Sequence, residues 1–209
     1  MTCLNNNFMV WFKKKSLLEP LESGDTEQVE RLLEKGAEVD VRDQDGATAL
    51  HGATIRRNLE MVKLLLHYGA DVNAGNNAGY TPLMVACKEG FPDVVRLLLK
   101  HGAKVNIAAK TGHTALLCAV GSEPVDLHGT LEVINLLLDH GANVNSKGLK
   151  KTTPLMSAAW FGLKDAVELL LRRGAALNES DETGRTALSM AQEKQHQEIS
   201  DFLIGARAV

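Results

Sequence analysis

A chain of 209 residues, 44% hydrophobic and 23% charged, has globular composition and room for one ordinary domain or two small ones. Its formal net charge of -3 supplies no global field toward nucleic acid or an anionic membrane. Aromatic residues make up only 4%, so the core points to close Leu/Ala helix packing, and Cys3, Cys87 and Cys118 lack the paired spacing of a disulfide framework or a zinc site.

Residues 1–15 stand outside any pattern. Phe8 to Phe12 is a short apolar run with lysines after it, the reverse of a secretory signal. No run approaches the ~18 apolar residues of a membrane span. Reduced thiols in the cytoplasm or nucleus are the expected state.

Regularity begins after this leader. Thr-Ala/Pro-Leu triplets start at Thr48, Thr81, Thr114, Thr153 and Thr186, at spacings of 33, 33, 39 and 33. Gly-Ala pairs at Gly36, Gly69, Gly102, Gly141 and Gly174 repeat with the same series. Two independent markers with one period define a structural repeat. In the stretch 43–50, Gly46 suits a turn of positive φ and Thr48 a helix N-cap. Pro82 and Pro154 fall at a first helical position, where no N–H is missed. A second helix follows, with Leu59, Val62, Leu65 and Leu66 at helical spacing and Gly69 as its left-handed stop.

These residues resemble the ankyrin repeat family, most closely in "NAGYTPLMVACKEGFPDVVRLLLKHGAKVN" (77–106). The resemblance covers residues 16–209 and implies an all-α solenoid of stacked helix pairs joined by hairpin-like loops. A degenerate unit spans 16–42. Full repeats span 43–75, 76–108, 109–147 and 148–180, and a capping unit spans 181–209. Ser200 and Asp201 in the last helix are expected to be polar positions on an exposed end.

The departures from the pattern carry their own expectations. Pro20 should shorten or kink the first helix of the degenerate unit. Lys151 replaces the turn glycine of the fourth repeat, so a different turn using Gly148 is expected. The family's histidine after Thr-x-Leu survives only as His51. Its counterparts are Met84, Leu117, Met156 and Ser189, where apolar packing should substitute. Cys87 and Cys118 fall on core positions as inert thiols. His67, His101 and His140 recur near helix C-termini, where a positive charge is favourable.

One stretch carries the residue types of nucleophilic catalysis: Cys118, Ser122, Asp126 and His128. The extra six residues of the third repeat, 123–128, fall between its two helices. The stretch therefore reads as an inserted loop, with Val125 and Leu127 as possible partner contacts. No strained elbow presents Ser122, and no P-loop or His-Glu-x-x-His motif occurs. No enzyme activity, cofactor or metal is expected.

Function is then a matter of surface. The resemblance implies a concave face of hairpin tips and first helices that binds another protein. Its slots hold Arg56, Tyr80, Lys88, Lys110, His113, Leu149, Lys150, Trp160, Phe161 and Arg185. Trp160 and Phe161 mark a binding hot spot if exposed, or partial core if packed against the next repeat. Neighbouring lysines favour a partner with an apolar anchor and acidic flanks. The expected molecule is a monomeric adaptor, scaffold or inhibitor with a protein partner, no nucleic acid and no membrane span. Two other roles follow from the same residues. Asn73, Asn106 and Asn145 resemble sites of asparaginyl hydroxylation in this family. Residues 1–15 could instead attach the chain to a membrane surface or cap the stack.

Overall fold

The computed structural model describes residue 17, residues 19–121 and residues 126–207. A short helical turn over 19–23 precedes α1 (Thr26–Glu34) in the degenerate unit. The full repeats contribute α2 (Ala49–Ile55) with α3 (Leu59–His67), and α4 (Pro82–Lys88) with α5 (Pro92–Lys100). They continue with α6 (Ala115–Val120) and α7 (Leu127–Asp139), then α8 (Pro154–Trp160) and α9 (Lys164–Arg172). The capping unit holds α10 (Ala187–Glu193) and α11 (Gln197–Arg207). No strand occurs among the described residues; Arg42 and Thr48 form an isolated antiparallel bridge.

Local chemistry explains the helix limits. Thr81, Thr114, Thr153 and Thr186 each accept the N–H three residues on, at 3.3–3.4 Å. Such caps are worth ~1 kcal/mol each. The second helices end at Gly36, Gly69, Gly102, Gly141 and Gly174, all at φ between 80 and 88°. Each of these glycines donates to a carbonyl of the last helical turn. A side chain would be strained there.

The first helices stack on one another from α2 through α10, and the second helices from α1 through α11. A continuous core runs between the two rows, with Leu50, Leu83, Leu116 and Leu155 at most 1% exposed. Burying each such side chain contributes ~1.5–3 kcal/mol.

A ladder of asparagines stitches the seams. Asn73 accepts from the Lys104 N–H at 2.8 Å and donates to the Gly102 carbonyl at 3.2 Å. Asn106 accepts from Asn143 at 2.8 Å and donates to Gly141 at 2.9 Å. Asn145 repeats this with Ala176 and Gly174 at 2.8 and 3.2 Å. In the degenerate unit Asp40 accepts from Asp71 but has no amide to donate.

The fourth hairpin uses Gly148 in a different turn, a 3-10 turn over Leu149–Lys151 that starts at Gly148, while four other expectations need correction. Lys151 donates to the Gly148 carbonyl at 3.1 Å, as Gly46, Gly79, Gly112 and Gly184 do to their counterparts. To do so Lys151 takes φ 61° and Lys150 φ 56°. Left-handed backbone costs a non-glycine residue ~1–2 kcal/mol. Ser200 is not on an exposed end: it is 3% exposed and its hydroxyl donates to the His196 carbonyl at 3.0 Å. The 123–128 insertion is not all loop. Asp126 caps α7, which starts at Leu127 and reaches 13 residues against 9 in α5, so the insertion lengthens a helix. Apolar packing does not always replace the lost histidine: Ser189 and Met156 accept the Thr186 and Thr153 N–H groups through oxygen and sulfur. The helix holding Pro20 runs to Ser23, one position past where α2 and α4 end in register, so its C-terminal end is not shortened as expected.

Candidate functional site

The hairpin turns and the ends of the first helices place the candidate residues along one side of the stack. Successive tips are joined through backbone bonds, Asn77 to Asp45, Lys110 to Ala78 and Glu182 to Lys150, each 2.9–3.0 Å. No corresponding bond joins Leu149 to Thr111, so the fourth tip is joined through its backbone only to the capping unit. The left-handed pair Lys150–Lys151 sits at this interruption. Leu149 beside it is 58% exposed.

The tip and the end of α8 meet in a shallow depression of about 220 Å³ lined by Thr152, Ser157, Trp160, Phe161, Arg185 and Met190. Trp160 and Phe161 are both half-buried and pack against the core. The Lys194 ammonium lies 4.1 Å from the Trp160 ring centroid and the Arg185 guanidinium 5.6 Å. The Trp160 carbonyl accepts from His196 at 3.2 Å. Trp160 is therefore neither free surface nor full core; it is a fixed aromatic wall.

Arg185 is fixed in turn. It donates from Nε and Nη2 to Asp181 at 3.1 and 3.0 Å, and from Nε to Thr183 at 3.1 Å. Burial alone would raise the Asp181 pKa. Hydrogen bonds from Thr183 and Arg185 overcome that and hold it at about 2.

The structure disperses the other candidates. Tyr80 and His113 stack with centroids 6.5 Å apart. His51 receives the Thr48 N–H on Nδ1, so its Nε2 donates to the Tyr80 carbonyl at 2.8 Å. Burial lowers the His51 pKa and keeps the ring neutral in this role. Lys88, Lys110 and Lys150 are exposed, with no carboxylate within salt-bridge range among the described residues. Arg56 borders a larger depression of about 450 Å³ with Leu21 and Ile55. Asn73, Asn106 and Asn145 serve the inter-repeat ladder. Lys194 and Met190 went unread in the sequence because they lie outside the variable slots; only the lone cation beyond α10 pointed to Lys194.

Nucleophilic chemistry finds no support among these groups. Burial raises Cys87 well above the usual thiol range and pushes Cys118 up to about 12, so both stay protonated and poorly reactive. Asp126 accepts the His128 N–H at 3.0 Å as the α7 cap, and His128 lies on the exposed first turn of that helix. Ser122 and Val125 lie outside the described residues, as does the 1–15 leader. No group of three His, Cys, Asp or Glu able to hold a metal occurs among the described residues. Nor is any helix among them long and apolar enough to cross a membrane.

A family model described as "Ankyrin repeats (3 copies)" matches residues 19–109, 73–148, 108–181 and 126–208. No curated protein matches the chain.

Proposed function

Because the chain belongs to the ankyrin repeat family, whose members are generally protein–protein interaction modules and typically non-enzymatic, we propose that it is a non-catalytic adaptor, scaffold or inhibitor. Its concave side of hairpin tips and first helices takes a partner protein, in the cytoplasm or nucleus. The observation that supports this most is the fourth-repeat corner. An exposed Leu149 and two left-handed lysines stand on the tip whose Thr152 lines one depression with the fixed Trp160–Phe161 wall. The other tips close their turns with a single left-handed glycine instead. Aromatic anchors with pre-set rotamers are the usual centre of a protein interface.

The test is affinity capture from cell extract with the full chain, comparing wild type with Trp160→Ala/Phe161→Ala. Captured partners should disappear while circular dichroism retains the helix content. Capture that survives in a folded double variant would remove the concave side from the account. If the double variant unfolds, Leu149→Asp on the exposed tip makes the same comparison without touching the core.

A further inference from the structure

Charge on the concave side is mixed at both ends, with Asp43, Asp45 and Arg56 on the first full repeat and Glu182, Glu193 and Arg185 on the capping unit. Between them lie Lys88, Lys110, Lys150 and Lys151, all exposed, with Glu89 as the one acidic slot. The lysine band begins at the tip whose Thr152 lines the Trp160 depression and runs back toward the second repeat.

The depression is too small for a cofactor. At about 220 Å³ it falls below the ~300–1,000 Å³ of small-molecule sites and suits a single side chain. Trp160, Phe161 and Met190 line it together with Thr152, Ser157 and Arg185. The Lys194 ammonium lies 4.1 Å from the Trp160 ring centroid, with no carboxylate partner among the described residues.

The backbone adds an independent argument. Four other tips place glycine where Lys151 stands. Glycine would relieve the left-handed strain, yet two consecutive lysines hold it. Arg57 and Gln195 also hold left-handed backbone, in the turns between helices, so what sets Lys150–Lys151 apart is that two consecutive such residues stand at a tip.

We infer that the corner between the fourth hairpin tip and the end of α8 seats one aliphatic side chain of an extended acidic peptide segment, whose carboxylates run over the lysine-bearing tips toward the second repeat. The inference rests on the concave-side reading of function and adds the partner's chemistry and direction. Charge complementarity to the exposed lysines selects carboxylates, and the Glu182 carboxylate disfavours them beside the capping-unit tip.

The experiment pans a phage-displayed library of random peptides on the immobilised full chain and measures selected peptides by fluorescence polarisation. Enriched peptides should carry one Leu, Ile or Met beside a run of Asp and Glu. Lys110→Glu/Lys150→Glu should weaken a selected peptide by ~10-fold or more, and Trp160→Ala by ~30-fold. Glu182→Lys should leave affinity equal or higher. Lys151→Gly is the sharpest variant: it should raise the melting temperature while weakening the peptide, a combination that misfolding cannot produce.

Enrichment without acidic residues, or no enrichment, overturns the inference. So does affinity indifferent to replacing the peptide's aliphatic residue by glycine, which would indicate a mere polyanion contact. A chain that sediments as a dimer through this corner would assign it to a second copy and overturn it as well. If extract capture still depends on Trp160 and Phe161 while the library shows no acidic preference, the concave-side function stands and only the partner's chemistry falls.

Discussion

The two long sides of the stack use charge differently. On the second-helix side, ion pairs tie consecutive repeats: Arg57 to Asp93, Arg96 to Glu132, Arg173 to Asp139 and Lys164 to Glu198. On the hairpin side, Lys88, Lys110, Lys150 and Lys151 reach no carboxylate among the described residues. The second-helix side pairs its charges across repeats; the hairpin side pairs Arg185 with Asp181 and Glu193 and Lys147 with Glu179, but leaves those four lysines without a carboxylate among the described residues. The difference teaches where stability and binding should separate under mutation.

The seam between the two sides should give the largest stability effect. Asn106→Ala removes the exposed bonds to the Asn143 N–H and the Gly141 carbonyl, at a cost of ~1–2 kcal/mol in urea denaturation. A cost near zero would mean that water replaces the ladder. Acid should act next, and locally. Asp181 is held at about 2, below the ~3.9 of an unfolded chain. Its stabilisation is therefore complete above pH ~4 and is lost as pH falls toward 2. Asp181→Asn should flatten the acid limb of the melting curve and free Arg185 beneath Trp160.

Lys151→Gly should stabilise by ~1 kcal/mol, because glycine takes the left-handed backbone without strain. The smallest effect belongs to the second-helix side. Arg96→Gln should cost under ~1 kcal/mol, since exposed pairs contribute little, and should leave peptide binding unchanged. If Arg96→Gln weakened binding as much as Lys150→Glu, the two sides would not differ in kind.

Much of the fold was legible because its markers are physical requirements. Threonine recurs where a helix needs a cap, and glycine where it needs a left-handed end. The slots holding Trp160 and Arg185 followed from the same register. What escaped reading depends on contacts between distant residues. Asn73, Asn106 and Asn145 find their partners 29 to 37 residues on, which no local window shows. Ser200 looks like a surface residue in sequence, yet the packing of α11 on α9 and α10 buries it. The absent glycine signalled a different turn after Gly148, but two consecutive left-handed lysines defy local preference and were not legible. The helical start at Leu127 was hidden by counting the insertion against a period.

Hydrogen exchange on the full chain, with and without a selected acidic peptide, tests the central claim most directly. The account predicts new protection at residues 149–152 and 157–161, with 92–100 and 127–139 unchanged. Protection confined to those second helices, α5 and α7, would contradict it.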